Sequence, residues 1–241
     1  MEIIGHRGAR GIVPENTAVG IHQALALNML DWVEFDVRHT RDNALVVLHD
    51  PFTFRIAKGI SMVSRQNSHA LQQLTTRSGH PIPSFDEIVK LIGKRAKINI
   101  EIKTSRSVDK VVDHIESLVA EGYGYDHFLV SSFSPAILRR VQRRNKEIPL
   151  SLLMAYWSFA FLAILPEVHL SAVGFYRHFA HRRAIAAAKR RGLFTYAYTV
   201  NDIEAAKRLA NKGIDAIITD YPDRMQSLRA YRQHHTAHNQ Q

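Results

Sequence analysis

The stretch Phe128–Arg144, FLVSSFSPAILRRVQRR, contains a strand, a cap and a helix in immediate succession. Phe128-Leu129-Val130 reads as a short buried strand, with Ser131, Ser132 and Phe133 at its end. Ser134 has the side chain of a helix N-cap. Pro135 suits the first helical position, where a missing N–H costs nothing, and a helical pattern follows to Arg144.

The same unit recurs along the chain. Strand-like runs are expected at Ile3-Ile4, 32–37, 45–48, 98–102, 128–130, 150–154, 172–175, 194–200 and 216–218. Helical patterns fall between them at 17–27, 85–92, 108–119, 135–144, 185–191 and 203–210, with a weaker one at 159–165. Asn16 reads as another N-cap, and Gly122, Gly192 and Gly213 follow helix ends as C-terminal caps do. Strand–helix alternation repeated about eight times predicts an α/β chain folded as a (β/α)8 TIM barrel, with a doubly wound open sheet as the alternative. Leu45–Leu48, after an Arg41-Asp42-Asn43 turn, is expected to be an extra strand. The barrel is assigned to residues 1–232, with a short insertion after the second strand at about 50–83 and a frayed polar tail at 233–241.

The chain has 241 residues, 46% of them hydrophobic, and no cysteine, which excludes disulfides and thiolate chemistry. No signal-peptide pattern stands in the first twenty residues. The longest apolar stretch, Leu150–Leu165, falls short of the roughly 20 residues that span a bilayer. A cytoplasmic protein is expected. Lys and Arg number 32 against 22 Asp and Glu, a net charge of +10 that draws phosphates, nucleic acids or anionic lipid. Part of this charge is clustered, at Arg139-Arg140, Arg143-Arg144 and Lys146, and again at Arg182-Arg183 and Lys189-Arg190-Arg191. Both clusters suit solvated helix faces, and aromatics do not interleave with them as stacking platforms would, so no specific nucleic-acid partner is expected.

Barrel chemistry gathers where strands end. The first strand ends in Gly5-His6-Arg7-Gly8, the second carries Glu34-Phe35-Asp36, the extra strand ends in His49-Asp50, and the third carries Glu101-Ile102-Lys103. Later ends hold Ser131-Ser132-Phe133, Thr199-Val200-Asn201 and Thr219-Asp220. Residues two apart on a strand face one side, so Glu34 projects with Asp36 and Glu101 with Lys103. Three carboxylates in one barrel mouth repel each other unless a cation lies among them. Glu34, Asp36 and Glu101 are therefore candidate ligands for Mg²⁺ or Ca²⁺, against the simpler reading that they pair with Lys103 or an arginine. His6 and His49, expected to face one another, can divide the work of general acid and base. Arg7, Lys103 and the glycine-flanked amides complement a phosphate. Asn16 has a capping role to fill, and Glu15 can reach either the metal region or Arg7.

The ordered series from Gly5 to Pro222 resembles the glycerophosphodiester phosphodiesterases. It comprises His6-Arg7-Gly8, Pro14-Glu15-Asn16-Thr17, Glu34-x-Asp36, His49-Asp50, Glu101-x-Lys103, Ser132-Phe133, Thr199-Val200-Asn201 and Thr219-Asp220-x-Pro222. The resemblance implies a (β/α)8 barrel that hydrolyses a glycerophosphodiester to sn-glycerol 3-phosphate and an alcohol with Mg²⁺ or Ca²⁺. It implies His6 and His49 as the acid/base pair, Glu34, Asp36 and Glu101 as metal ligands, Arg7 and Lys103 on the phosphate, and Glu15, Asn16 and Asn201 in support. Lysophospholipase D-type activity is the alternative within the same chemistry. A metal-dependent aldolase or enolase-type barrel fits less well because it has no need of paired histidines. Tyr198 stands where many relatives have tryptophan, and the segment 173–181 is rich in aromatic and basic groups, so the leaving alcohol stays open. Leu150–Leu165, with Tyr156, Trp157, Phe159 and Phe161, is expected to pack partly in the core and partly to offer a surface for peripheral membrane contact or a homodimer.

Overall fold

The computed structural model describes residues 1–74 and 76–228. The polar tail expected at 233–241 and the end of the barrel assignment at 229–232 lie outside the described residues.

Nine strands run in the order β1 (Glu2–His6), β2 (Trp32–His39), β3 (Leu45–Val47), β4 (Lys97–Ile102), β5 (Phe128–Ser132), β6 (Leu150–Met154), β7 (Ala172–Tyr176), β8 (Phe194–Tyr198) and β9 (Ala216–Thr219). Eight of these pair in parallel, each with the next, and β9 returns to β1 through Gly5 opposite Thr219, so the sheet closes on itself. The ninth, β3, folds back antiparallel on β2 with Val37 opposite Val47. This is the expected (β/α)8 barrel with one extra strand.

The helices are α1 (Ala18–Ala26), α2 (Ser68–Gln72), α3 (Phe85–Ile92), α4 (Val108–Ala120), α5 (Pro135–Arg144), α6 (Ala160–Ile164), α7 (Arg182–Lys189) and α8 (Ile203–Asn211). Ser84 caps α3 by accepting from the Glu87 amide, and Asp202 caps α8 by accepting from that of Ala205. Gly122, Gly192 and Gly213 all have positive φ, as helix-terminating glycines do. Two expected caps are corrected: Ser134 stands at the N-cap position of α5 but its side chain makes no capping hydrogen bond, and the cap of α1 is not Asn16. Thr17, with extended backbone, caps α1 through the Gly20 amide, while Asn16 has φ +52 and turns its side chain elsewhere. An N-cap needs a non-helical, β-region backbone, and Asn tolerates the left-handed region that the sharp turn before it requires.

Side chains alternate between two cores. The outer one packs helices on strands, with Phe35, Phe85, Ile100, Val112, Leu138 and Ile185 among its fully buried members. The barrel's own interior is filled by a smaller set that includes Ile4, Trp32, Leu129, Leu153 and Tyr196, whose hydroxyl is 2.8 Å from the Ser151 hydroxyl. The insertion after β3 carries α2, which no periodicity announced, and rests on a third cluster of Val46, Leu48, Val63, Leu71 and Ile82. The α5 cluster of arginines is a solvated face. Arg140 pairs with Asp109, Arg144 with Asp113 at 2.8 Å and Arg139 with Glu167 at 2.5 Å. Phe161 is fully buried, so α6 turns inward, whereas Tyr156, Trp157 and Phe159 before it are exposed.

Candidate active site

Strand register brings the carboxylates together. Asp36 stands opposite Glu101 on neighbouring strands, and His6 opposite Glu34. Oxygens of Glu34, Asp36 and Glu101 lie within 4.8 Å of one another at the C-terminal ends of β2 and β4. Glu34 and Asp36 are buried, 3% and 1% exposed, and Glu34 Oε1 has no hydrogen-bond partner among the described residues. Burial, then repulsion from Asp36 and Glu101, raises the Glu34 pKa well above the usual carboxylate range. Burial and Asp36 push Glu101 up to about 7. Burial opposes the ionisation of Asp36 as well, but Lys103, Arg7 and His49 outweigh it and hold its pKa below normal. An all-oxygen set with an orphaned buried carboxylate oxygen and two carboxyls strained by like charge fits a hard divalent cation.

Arg7 and Lys103 lie in the same cluster, and both are already ion-paired. Arg7 Nε is 3.1 Å from Asp36 Oδ2, and its Nη1 is 2.9 Å from Glu15 Oε1. Lys103 Nζ is 2.8 Å from Asp36 Oδ1 and also contacts Glu101. Glu15 thus joins Arg7, not the three carboxylates. Asn16, freed from capping, donates from Nδ2 to Asp36 Oδ2 at 2.9 Å. The tight Gly5–Gly8 turn holds this arrangement: the Arg7 amide donates to Glu34 Oε2 at 2.9 Å, and a Cβ on Gly5 would meet the Gly8 carbonyl oxygen at 2.1 Å.

His6 and His49 border one cavity of about 270 Å³, together with Arg7, Glu34, Glu101 and Lys103. Each imidazole is held at Nδ1 by a carboxylate, His6 by Asp220 at 2.5 Å and His49 by Asp50 at 2.7 Å. With Nδ1 committed, Nε2 is the nitrogen that each ring can offer to the cavity it lines. Burial lowers the His6 pKa against the opposing hydrogen bond from Asp220, and burial lowers that of His49 also, so both rings favour the neutral form. Asn201 reaches the site through Asp220, donating to Oδ2 at 2.7 Å and accepting the Asp220 amide at 2.9 Å.

Four residues at this site had no role assigned from sequence. Asp50 and Asp220 were visible as strand-end acids, and barrel closure, which sets β9 beside β1, was the signal that could have matched Asp220 to His6. Arg10 Nε lies 2.8 Å from Asp220. Arg55, inside the insertion, bridges Asp50 at 2.5 Å and Glu15 at 2.7 Å. It belongs to no periodic element, and its sequence neighbourhood carries no signal. The far wall of the cavity is apolar, formed by Phe133, Leu153 and Tyr198.

The comparisons with known proteins point to one family. Bacillus subtilis YhdW is 30% identical over 234 residues, covering 92% of this chain and 96% of its own. The glycerophosphodiester phosphodiesterase of Caldanaerobacter subterraneus is 28% identical, covering 94% and 96%. The fold is also similar to that of an Oleispira antarctica phosphodiesterase solved with its product sn-glycerol-3-phosphate, with a TM-score of 0.86, 25% identity and coverage of 94% and 96%. Residues 6–224 match the Glycerophosphoryl diester phosphodiesterase family, and the chain belongs to that family.

Proposed function

We propose that the protein hydrolyses glycerophosphodiesters to sn-glycerol 3-phosphate and an alcohol, with His6 and His49 as its proton-transfer pair. The observation that carries this reading is the pair of imidazoles, each anchored at Nδ1 on its own carboxylate and each bordering the cavity that Glu34 and Glu101 of the acid cluster also line. Anchoring sets the tautomer and the aim of each ring, which general acid–base catalysis requires.

Glu34, Asp36 and Glu101 would hold one Mg²⁺ or Ca²⁺, with Asn16 and Lys103 steadying Asp36 through its two oxygens. When bound, the cation supplies Lewis-acid stabilisation of the negative charge that builds on the phosphoryl oxygens. Arg7 and Lys103 add fixed positive charge on the same side and share it between the acids and the incoming phosphate. The glycerol 2-hydroxyl is the favoured nucleophile because it is already tethered next to the esterified carbon. One histidine takes its proton as the 2-oxygen bonds to phosphorus, and the other protonates the departing alcohol as its P–O bond breaks. The product of this step is glycerol 2,3-cyclic phosphate, in the numbering of sn-glycerol 3-phosphate. Water then opens the ring with the two histidines in exchanged roles. Asp220, Asp50, Asn201 and Glu15 position these groups without touching substrate.

A second reading, lysophospholipase D-type cleavage, is favoured by the apolar wall of Phe133, Leu153 and Tyr198, which suits an acyl-bearing substrate. The test is a panel of glycerophosphocholine, glycerophosphoethanolamine, glycerophosphoinositol and lysophosphatidylcholine. Release of sn-glycerol 3-phosphate from the first three is expected. Release of lysophosphatidic acid from the fourth alone would select the second reading, and no phosphomonoester from any of them would overturn both.

A further inference from the structure

Among the described residues nine large hydrophobic side chains are exposed, and their distribution is one-sided. Leu27, at the end of α1, is the exception. Three are in the loop after β6, Tyr156, Trp157 and Phe159; Phe133 and Tyr176 stand at the ends of β5 and β7. Ile12 follows β1, beside Gly11, whose amide donates to the Asp220 carbonyl at 3.0 Å. Phe54 and Ile60 lie on the insertion that Arg55 ties to Glu15. Eight of the nine therefore belong to the end of the barrel where the active-site cavity opens. Exposed hydrophobics scattered singly need no explanation, but a set gathered on one face does.

The set is continuous with the cavity. Phe133 packs edge-on to Tyr198 with centroids 5.9 Å apart, Tyr198 meets Tyr176 at 6.2 Å, Tyr176 meets Phe179 at 6.0 Å, and Phe179 meets Tyr156 at 6.0 Å. Ser158 fastens this loop to the Phe179 carbonyl, so the aromatic rim is braced. Its composition is that of an interfacial belt, where tyrosine and tryptophan rest at headgroup level.

Two segments beside this rim are predominantly basic. The insertion from Asp50 to Pro83 has Arg55, Lys58, Arg65 and Arg77 against the single acid Asp50, which is itself paired with Arg55. The segment after β7, Arg177 to Arg183, has three arginines, two histidines and no acid. Aromatic side chains beside segments with an excess of cations complement an anionic lipid surface, where apolar insertion and counter-charge attraction add.

We infer that the mouth of the barrel is a docking surface for an anionic lipid bilayer, with Tyr156 and Trp157 inserting at headgroup depth and the active-site cavity opening against that surface. The docking is independent of which alcohol leaves the substrate. It also relocates the expected contact from the whole Leu150–Leu165 segment to a rim of loop tips, because the α6 anchor Phe161 points into the core.

The two tryptophans make the experiment direct. Trp157 is 81% exposed and Trp32 only 8%, so a change in intrinsic emission on binding reports Trp157. The full chain is mixed at low salt with vesicles of phosphatidylglycerol or of phosphatidylcholine, and partition is read by sedimentation and Trp emission. Phosphatidylglycerol vesicles should sediment the protein and shift its emission to the blue, with the effect weakened at high salt and on phosphatidylcholine. Tyr156→Ala with Trp157→Ala should weaken partition about tenfold or more while hydrolysis of soluble glycerophosphocholine is unchanged. A protein that stays in the supernatant with its emission unmoved overturns the inference. So does unaltered partition of the double variant, or a wild-type dimer that the double variant dissociates in the absence of any vesicle binding.

Discussion

Nδ1 of His6 lies 2.5 Å from Oδ1 of Asp220, a contact that joins the first barrel strand to the residue after the last. Asp220 is itself held by Asn201 and Arg10, so the aim of His6 is set by a chain of groups behind the imidazole. Asp220→Asn should lower kcat by roughly 10²-fold or more with a much smaller change in KM. The sign of the pH effect follows from the charges. Asp220 raises the His6 pKa against burial, so its loss lets burial dominate and the limb of the pH–rate profile governed by His6 moves to lower pH. A profile of unchanged shape would mean that His6 does not titrate in the reaction.

Arg55 offers a different kind of test, because it touches neither histidine. Its guanidinium ties Asp50, which holds His49, to Glu15, which holds Arg7. Arg55→Met should reduce kcat about tenfold while thermal stability changes little, since a half-exposed ion pair contributes only about 0–1 kcal/mol. Arg55→Lys should not restore the rate, because one ammonium cannot reproduce the two-armed bridge. Steady-state kinetics on the three proteins, with melting curves alongside, separates positioning from folding. Full rescue by lysine would reduce Arg55 to a point charge.

The carboxylate cluster predicts an unusual dependence of stability on pH in metal-free protein. Glu101 has a folded pKa of about 7 against an ordinary 4.5, and Glu34 is raised too. A carboxyl whose folded pKa is raised binds more protons in the folded than in the unfolded state. Glu101 therefore costs stability progressively as pH rises from about 4.5 to about 7, and Glu34 adds a cost of the same sign as pH rises above its unfolded value. Asp36 runs the other way, stabilising above its unfolded pKa and losing that contribution as pH falls below it. Melting temperatures of chelated protein should fall between pH 5 and 7.5, and Mg²⁺ or Ca²⁺ should restore them most at the upper end. Glu34→Gln should flatten the slope, raise the metal-free melting temperature at pH 7.5 and abolish most turnover. A melting curve insensitive to both cations would remove the metal from the site.

The sequence was most legible where periodicity and stereochemistry act locally. Phe128–Arg144 became β5 and α5 with the helix at its expected bounds, and the two-residue spacing of Glu34 and Asp36 put both on one face. Where the outcome depends on neighbours in space, less could be read. Asn16 and Thr17 are both capping residues, and only the backbone, left-handed at one and extended at the other, decides between them. Asn16 could then reach Asp36. Arg7 and Lys103 were recognisable as cations aimed at the site, but their present pairing with Asp36, Glu15 and Glu101 is a property of the closed barrel. Arg55 sits in an insertion whose packing follows from the clusters beneath it, not from any repeat along the chain.

The identity of the nucleophile gives the last prediction. The cavity of about 270 Å³ is lined by two neutral-favouring imidazoles, and the proposed acid–base pair could serve water or a hydroxyl of the substrate itself. An intramolecular hydroxyl gains effective molarity over free water on the order of 10⁵ M in well-oriented cases. Glycerol places its 2-hydroxyl where attack closes a five-membered ring. A 2-deoxy analogue of glycerophosphocholine should therefore compete as an inhibitor, with a Ki close to the KM of the natural diester, and yet release choline at least 10³-fold more slowly. Glycerol 2,3-cyclic phosphate supplied directly should be opened to the monoester by the wild type, and both His6→Ala and His49→Ala should slow that opening, because the same pair must serve both halves of the reaction. Rapid release of choline from the deoxy analogue would make water the direct nucleophile and remove the cyclic phosphate from the route, while leaving the two histidines as the acid and base of a single displacement.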